Sequence, residues 1–398
     1  MGNAPMINRG KVTLRVLGTS VTLTEEICQQ ARKDLGFNIE FFVENGVACQ
    51  KQGVLYPHTY DVYDQWFQSI DMLWPVKAIQ PLELNRIEHW DKVNSFSKYG
   101  YFDKKTDTAA GCTPCKRLYV QADNSLSDKP SDRISMLPLT HNADSFGYKP
   151  DLLPHQLQDQ QESWAWLVSK HWSGKVGVQV DSTIGILDLA LAVQSSGKIV
   201  FDDLGNLTID EIDKLISLLL DLKRQGQFCS KWNNILQATE NMLIGGVGIE
   251  SIWSPSFSNL RSQNLDIINA APKEGYRAWF GGLAISSKTN NRTLDAAYEY
   301  LNWWLSGWAG AQVAKQGYYI STPSLSRKFL DESEWQYWYE GKEAKQNLRD
   351  SKNNVIVKSG EVRSGGSYRD RMSKIAVWNT VMDEQNYLVR RWNDFLNS

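Results

Sequence analysis

This sequence is short of several things, and each shortage removes a class of function. No stretch reaches the roughly 20 consecutive apolar residues that span a bilayer, and the richest run, Leu215 to Leu222, keeps amphipathic helical spacing. A transmembrane anchor is therefore not expected. Charge of one sign is not in excess either: 43 Lys and Arg stand against 45 Asp and Glu. That balance withdraws the electrostatic case for nucleic acid or a general membrane surface as partner. There are 5 histidines and 5 cysteines, scattered, so neither a metal nor a cofactor is expected. The chain has no glycine-rich phosphate loop, no Gly-x-Ser-x-Gly elbow and no His-Glu-x-x-His helix. An α/β enzyme with an active site between two lobes stays open as a rival reading, with no acid pair of recognisable spacing to support it.

The one close cysteine pair lies in Gly111-Cys112-Thr113-Pro114-Cys115. Zinc needs further ligands, and His89 and His141 are distant in sequence, so a local loop disulfide of an oxidising compartment is the preferred reading over zinc or dithiol redox chemistry. The N-terminus, Met1-Gly2-Asn3-Ala4-Pro5, shows no charged region followed by an apolar run. Two readings follow: a cytoplasmic protein, or one whose signal peptide has been removed.

What the chain has in abundance is aromatic residues, with 16 Trp, 16 Tyr and 13 Phe. Most such rings are core; a few can line a site, where a flat face packs on apolar stems and attracts cations. A length of 398 residues with 42% apolar content exceeds one compact core and fits two domains.

Alternation of Val12, Leu14 and Val16 predicts a first strand over 11–17 that ends at Gly18-Thr19-Ser20. A helix over 24–34, stopped by Gly36, and a strand over 38–43 complete a βαβ opening. A third strand is expected at 60–63, with Asp64-Gln65-Trp66 in the loop after it. The second half repeats the pattern: a strand over 175–180 runs into Asp181-Ser182-Thr183 and a helix over 184–194. Thr208 and Glu211 form a capping box for a helix over 208–225, and a strand over 245–253 leads into Trp253-Ser254-Pro255. Strand and helix alternating in this way predict an α/β fold with mostly parallel sheets, whose ligands bind beyond the carboxyl ends of the strands. Loops beginning at Gly18, Asp64, Asp181, Trp253 and Trp279 are the candidates.

Several segments carry a resemblance. They are Tyr60-Asp61-Val62-Tyr63, Ser135-Met136-Leu137-Pro138 with Asn142 to Tyr148, and Gly248-Ile249-Glu250-Ser251-Ile252-Trp253. Pro272-Lys273-Glu274-Gly275 leading to Trp279, the helix Ala296 to Leu305, and Gln316-Gly317-Tyr318 with Thr322-Pro323 follow in order. From about Asp61 onward the chain resembles the extracellular solute-binding proteins of bacterial ABC importers, spermidine/putrescine type. The resemblance implies a two-lobed periplasmic-binding-protein fold of type II, each lobe a mixed, mostly parallel sheet flanked by helices. Residues 1–145 with 273–398 are expected to form one lobe and 146–272 the other, joined by two crossing strands near 135–147 and 268–285. It further implies no catalysis, a periplasmic location after signal-peptide removal, a monomer, and two partners: a small-molecule solute and a membrane ABC permease.

The resemblance also supplies site residues. Trp253 and Trp279 match two tryptophans that wall the family's cleft, and Asp181 matches a carboxylate that binds a ligand ammonium. Two other family carboxylates are replaced by Gly281 and Ile184, which weakens the inference to a simple polyamine. Arg277 and Arg363, the latter in the late loop 360–367, suit a carboxylate, so a zwitterionic or opine-type solute is the alternative. Ser182, Thr19, Ser20 and Asp64 are candidates by their place at the strand ends, and His141 and Asn142 by theirs on a crossing strand. Each has a plainer reading beside it: Asp181 as a helix cap, Trp253 and Trp279 as core, His141 and Asn142 as hinge hydrogen bonds, Arg363 as a solvated charge.

Overall fold

A computed structural model of the chain describes residues 12–102, 109–111, 113–350 and 352–398. The eight strands that matter here are β1 (Thr13–Gly18), β2 (Asn38–Val43), β3 (Val62–Trp66), β4 (Leu137–Tyr148), β5 (Val176–Gln179), β6 (Phe228–Trp232), β7 (Ile249–Ile252) and β8 (Tyr276–Ser286). They form one mixed sheet in the order β6-β5-β7-β4-β8-β3-β1-β2, with shorter strands added along it. Parallel pairing joins β1 to β2 and β3, and β5 to β6 and β7.

Two long strands make the frame. All twelve residues of β4 are buried, and so are all eleven of β8. The first part of β4 pairs antiparallel with β8, setting Arg277 opposite Asp144 and Trp279 opposite Asn142. Its last four residues pair instead with β7, Ser145 opposite Ile252 and Tyr148 opposite Ile249. One strand thus serves two halves of the sheet, which explains why the sequence shows no linker between two lobes.

Each half has its own core. The larger draws on residues from Val12 to Ala143 and from Tyr276 to Trp378; the second is built from Phe146 to Ala270 with Val377, Met382, Leu388, Trp392 and Phe395. The latter four belong to the C-terminal helix (Gln385–Asn397) or the turn before it, where Trp392 Nε1 donates to Val180 O at 2.7 Å. The division expected from sequence left residues 273–398 entirely with the first lobe, whereas this last helix packs on the second core.

Local signals act as the sequence suggests. Thr24 accepts from Ile27 N to open the helix Glu25–Leu35, which Gly36 ends in the left-handed region at φ 68°. Thr208 and Glu211 form the reciprocal capping box of the helix Ile209–Arg224, whose buried face holds Ile212, Leu215, Ile216, Leu219 and Leu222. Ile209, the first residue of the helix, is exposed. Asp64-Gln65-Trp66 is not a loop but the end of β3, because hydrogen bonding to both β1 and β8 holds these polar residues inside the sheet. Trp279 likewise lies within β8 and does not open a loop. Among the described residues, no helix is long and apolar enough to cross a membrane, and no cluster of His, Cys, Asp and Glu can hold a metal ion. The expected Cys112–Cys115 pairing falls on Cys112, outside the described residues.

Candidate functional site

Where the two halves of the sheet meet, residues from widely separated segments close on one cavity. Its walls are Val21, Trp66, Ile184, Trp253, Arg277, Trp279, Tyr318 and Asn379. Trp66 ends β3, Val21 follows β1, Trp253 follows β7, and Arg277 and Trp279 belong to the long strand β8. Trp279 meets Tyr318 edge to face at 5.4 Å and 80°, and Trp253 meets Trp232 the same way at 5.0 Å and 86°. The enclosed volume is about 10 Å³, room for about one water. A solute can enter only if the walls part.

Beside the rings sits a buried ionic group. Arg277, with no exposed surface, donates from Nε to Asp188 Oδ1 at 2.6 Å and from Nη1 to Asn379 Oδ1 at 3.0 Å. Its Nη2 reaches Asp144 Oδ2 at 3.5 Å, and the same oxygen accepts from Trp279 Nε1 at 2.7 Å. Asn142 Nδ2 joins the network, donating to Asp144 Oδ1 and Ser254 Oγ at 2.9 Å each. Burial pushes the Asp144 carboxyl up to about 6, held down in part by Arg277 and the Trp279 N–H. Burial also raises Asp188 and Asp181, which Arg277 offsets in part. One guanidinium thus pairs with two buried carboxylates, Asp144 and Asp188, and acts on Asp181 only at longer range.

Asp181 itself accepts from both the backbone N and the Oγ1 of Thr183 at 2.7 Å, and its carbonyl accepts from Gly185 N, so it shapes the turn into the helix Gly185–Ser195. Neither Asp181 nor half-buried Ser182 lines the cavity. Thr19 is buried in the turn before Val21 and Ser20 is exposed; Val21 is the residue of that loop on the wall. Asp64 is buried in β3, its Oδ2 without a partner, and desolvation lifts it to about 7 against the pull of the Thr22 hydrogen bond. His141 is held in the first core by a 2.8 Å hydrogen bond between Nε2 and Tyr368 Oη, packs on Phe280 at 4.7 Å, and is pushed down to about 3 by burial. Arg363 is neither solvated nor in this cavity: it is buried at a second one, described below.

Residues 78–340 match the sequence profile described as bacterial extracellular solute-binding protein. The chain belongs to that family. No curated protein sequence matches it. The fold of this solute-binding protein is similar to that of a protein assigned as a spermidine/putrescine ABC transporter from Listeria monocytogenes, at TM-score 0.65 and 13% identity over 96% of this chain and 98% of that one. It is also similar to the spermidine/putrescine ABC transporter substrate-binding protein of Streptococcus pneumoniae, at TM-score 0.61 and 14% identity over 97% of each chain. A third similar structure is the periplasmic binding protein AgtB of A. tumefaciens R10 in complex with agropinic acid, at TM-score 0.60 and 12% identity over 98% of this chain and 99% of that one. Its fold is therefore the two-lobed one of periplasmic binding proteins.

Within this solute-binding protein, one of the two departures from the resemblance has a steric account. A Cβ on Gly281 would lie 2.6 Å from Thr140 Oγ1, so no carboxylate fits there without displacing a buried β-branched neighbour. Ile184 is buried against the first core and gives the cavity an apolar wall where an acid was expected. Trp66, Tyr318, Val21 and Asn379 escaped the reading of the sequence as site residues. Tyr318 stood in a segment that carried the resemblance, and Trp66 stood at a strand end; nothing local marks Val21 or Asn379.

Proposed function

We propose that this protein captures a small amine-bearing, polyamine-like solute between its two lobes and presents it to an ABC permease in the membrane. The observation that carries the proposal is the aromatic cavity of Trp66, Trp253, Trp279 and Tyr318 set against a buried ionic group in which carboxylates outnumber the guanidinium. Ring faces attract an ammonium, and surplus buried carboxylate supplies the counter-charge without which a desolvated cation costs several kcal/mol. Contacts made to both lobes at once favour the closed form over the open one, and that difference is what a permease can read. We assign residues up to 145 and 273 to about 380 to one lobe, and 146–272 with the C-terminal helix to the other. A monomer in the periplasm completes the reading.

A zwitterionic or carboxylate-bearing solute, such as an amino-acid derivative or opine-type conjugate, is the second reading. Its support is Arg277, which lines the cavity and has one long contact, the 3.5 Å reach of Nη2 to Asp144, that a ligand carboxylate can replace. The structural neighbour holding agropinic acid is consistent with it.

A thermal-shift screen of polyamines, amino acids, betaines and sugar–amino-acid conjugates separates the two. A solute at a thousandfold excess over its Kd adds about 4 kcal/mol to stability. Response to di- and polyamines supports the first reading; silence there with a response to zwitterions transfers support to the second; no response from any class sinks both.

A further inference from the structure

A second cavity, of about 210 Å³, shares no wall residue with the aromatic one. One wall is the helix Ser254–Ser262 with the short strand Ile268–Asn269; the other comes from the larger core's C-terminal segments, around Trp338, Val357 and Arg363. Its charged lining is Arg261, Arg363, Arg371 and Glu361. Glu361 is already taken by an ion pair with Arg261.

That leaves Arg363 and Arg371, which are 7% and 1% exposed. Among the described residues, neither has a carboxylate within ion-pair distance. Arg363 donates to the carbonyls of Trp338 and Gly317 at 2.7 and 2.8 Å, and its guanidinium lies over the Tyr319 and Trp338 rings at 4.8 and 4.9 Å. Arg371 donates to the carbonyls of Ala143 and Ser364 at 2.6 and 2.7 Å and has a partnerless Nε. These acceptors satisfy hydrogen bonds but are neutral. Two positive charges therefore share a secluded site with no carboxylate in direct contact, Asp144 acting on Arg371 only at longer range, an arrangement that costs energy until an anion arrives.

We infer that this cavity is a second binding site, for the carboxylate or phosphate group of a small anion held by Arg363 and Arg371. Guanidinium donors match the paired oxygens of both groups, and the volume suits a small molecule better than a large one. The inference is independent of the amine-capture reading.

The test is thermal unfolding of the full chain at constant ionic strength, with chloride replaced stepwise by inorganic phosphate in one series and by acetate in another. A saturable rise in Tm is expected in at least one series, and the responding series tells phosphate from carboxylate. Asn269→Asp puts a like-shaped carboxylate on the opposite wall and is expected to weaken the anion at least tenfold, as is Arg363→Gln. Should Arg363→Gln fail to fold, Asn269→Asp decides. Trp279→Ala, which removes a wall of the amine cavity, is expected to leave the anion response intact, so the two proposals fail separately. Absence of a saturable response to either anion, or an undiminished response in Asn269→Asp, overturns the inference.

Discussion

Arg277→Met strips the guanidinium that Asp144 and Asp188 share while retaining most of the apolar stem. Arg277 bonds Asp188 at 2.6 Å, Asn379 at 3.0 Å and Asp144 at 3.5 Å, with both acids 3% exposed or less. Removing one partner of such a group leaves buried charge uncompensated, at a cost of about 3–5 kcal/mol, and methionine keeps the volume term small. Total stabilities of about 5–15 kcal/mol make this a large fraction. The cost depends on pH with a definite sign. Without the guanidinium burial raises both carboxyls further above their unfolded values, so lowering the pH to 4.5 relieves the uncompensated charge by protonation and the loss shrinks toward that of the hydrogen bonds, about 1–2 kcal/mol. Urea unfolding at pH 7.5 and pH 4.5 measures both, with an unchanged m-value as the check on two-state comparison. A loss below about 1 kcal/mol at pH 7.5, or one equal at the two pH values, refutes the reasoning.

Asp64→Asn gives a second pH signature. The folded carboxyl is pushed by burial up to about 7 from its ordinary 3.8, so the folded state holds the extra proton and wild-type stability declines as pH rises through that window. The variant is expected to gain up to about 4 kcal/mol on wild type at pH 8 and nothing near pH 3; calorimetry across the range checks it, and a pH-independent gain contradicts it. Gly281→Asp is expected to lower stability by about 1–3 kcal/mol because its Cβ meets Thr140 Oγ1 at 2.6 Å. Adding Thr140→Ala should recover most of that loss in the same melting assay; no recovery means the steric account of Gly281 is wrong.

Much of the frame was legible in the residues. The strand at 38–43, the helix after Thr24 and the capping box at Thr208 follow from alternation, caps and a left-handed glycine, all local signals. The two crossings expected from the resemblance near 135–147 and 268–285 fall on segments that include the long strands β4 and β8. What misled was polarity inside the sheet. Asp64 and Gln65, expected in a loop, are buried in β3, and Asp144 and Arg277 are charged yet buried in strands because Arg277 pairs with Asp144 and Asp188 across long sequence distances. Local pattern cannot show such partners. The same reason hides Asn379 and the arginine cavity, whose lining spans 254–371. Trp253 and Trp279, expected together from the resemblance, line one cavity, whereas Arg363, placed with them by its chemistry, lines another.

Isothermal titration of the wild-type chain and of Trp279→Ala with putrescine, spermidine and a set of amino-acid-derived zwitterions tests the central claim most directly. The account predicts saturable binding of at least one amine-bearing solute to wild type and loss of that binding in Trp279→Ala, with the fold intact by circular dichroism. Binding of the same solute with undiminished affinity in Trp279→Ala, or none by wild type across the whole set, contradicts it.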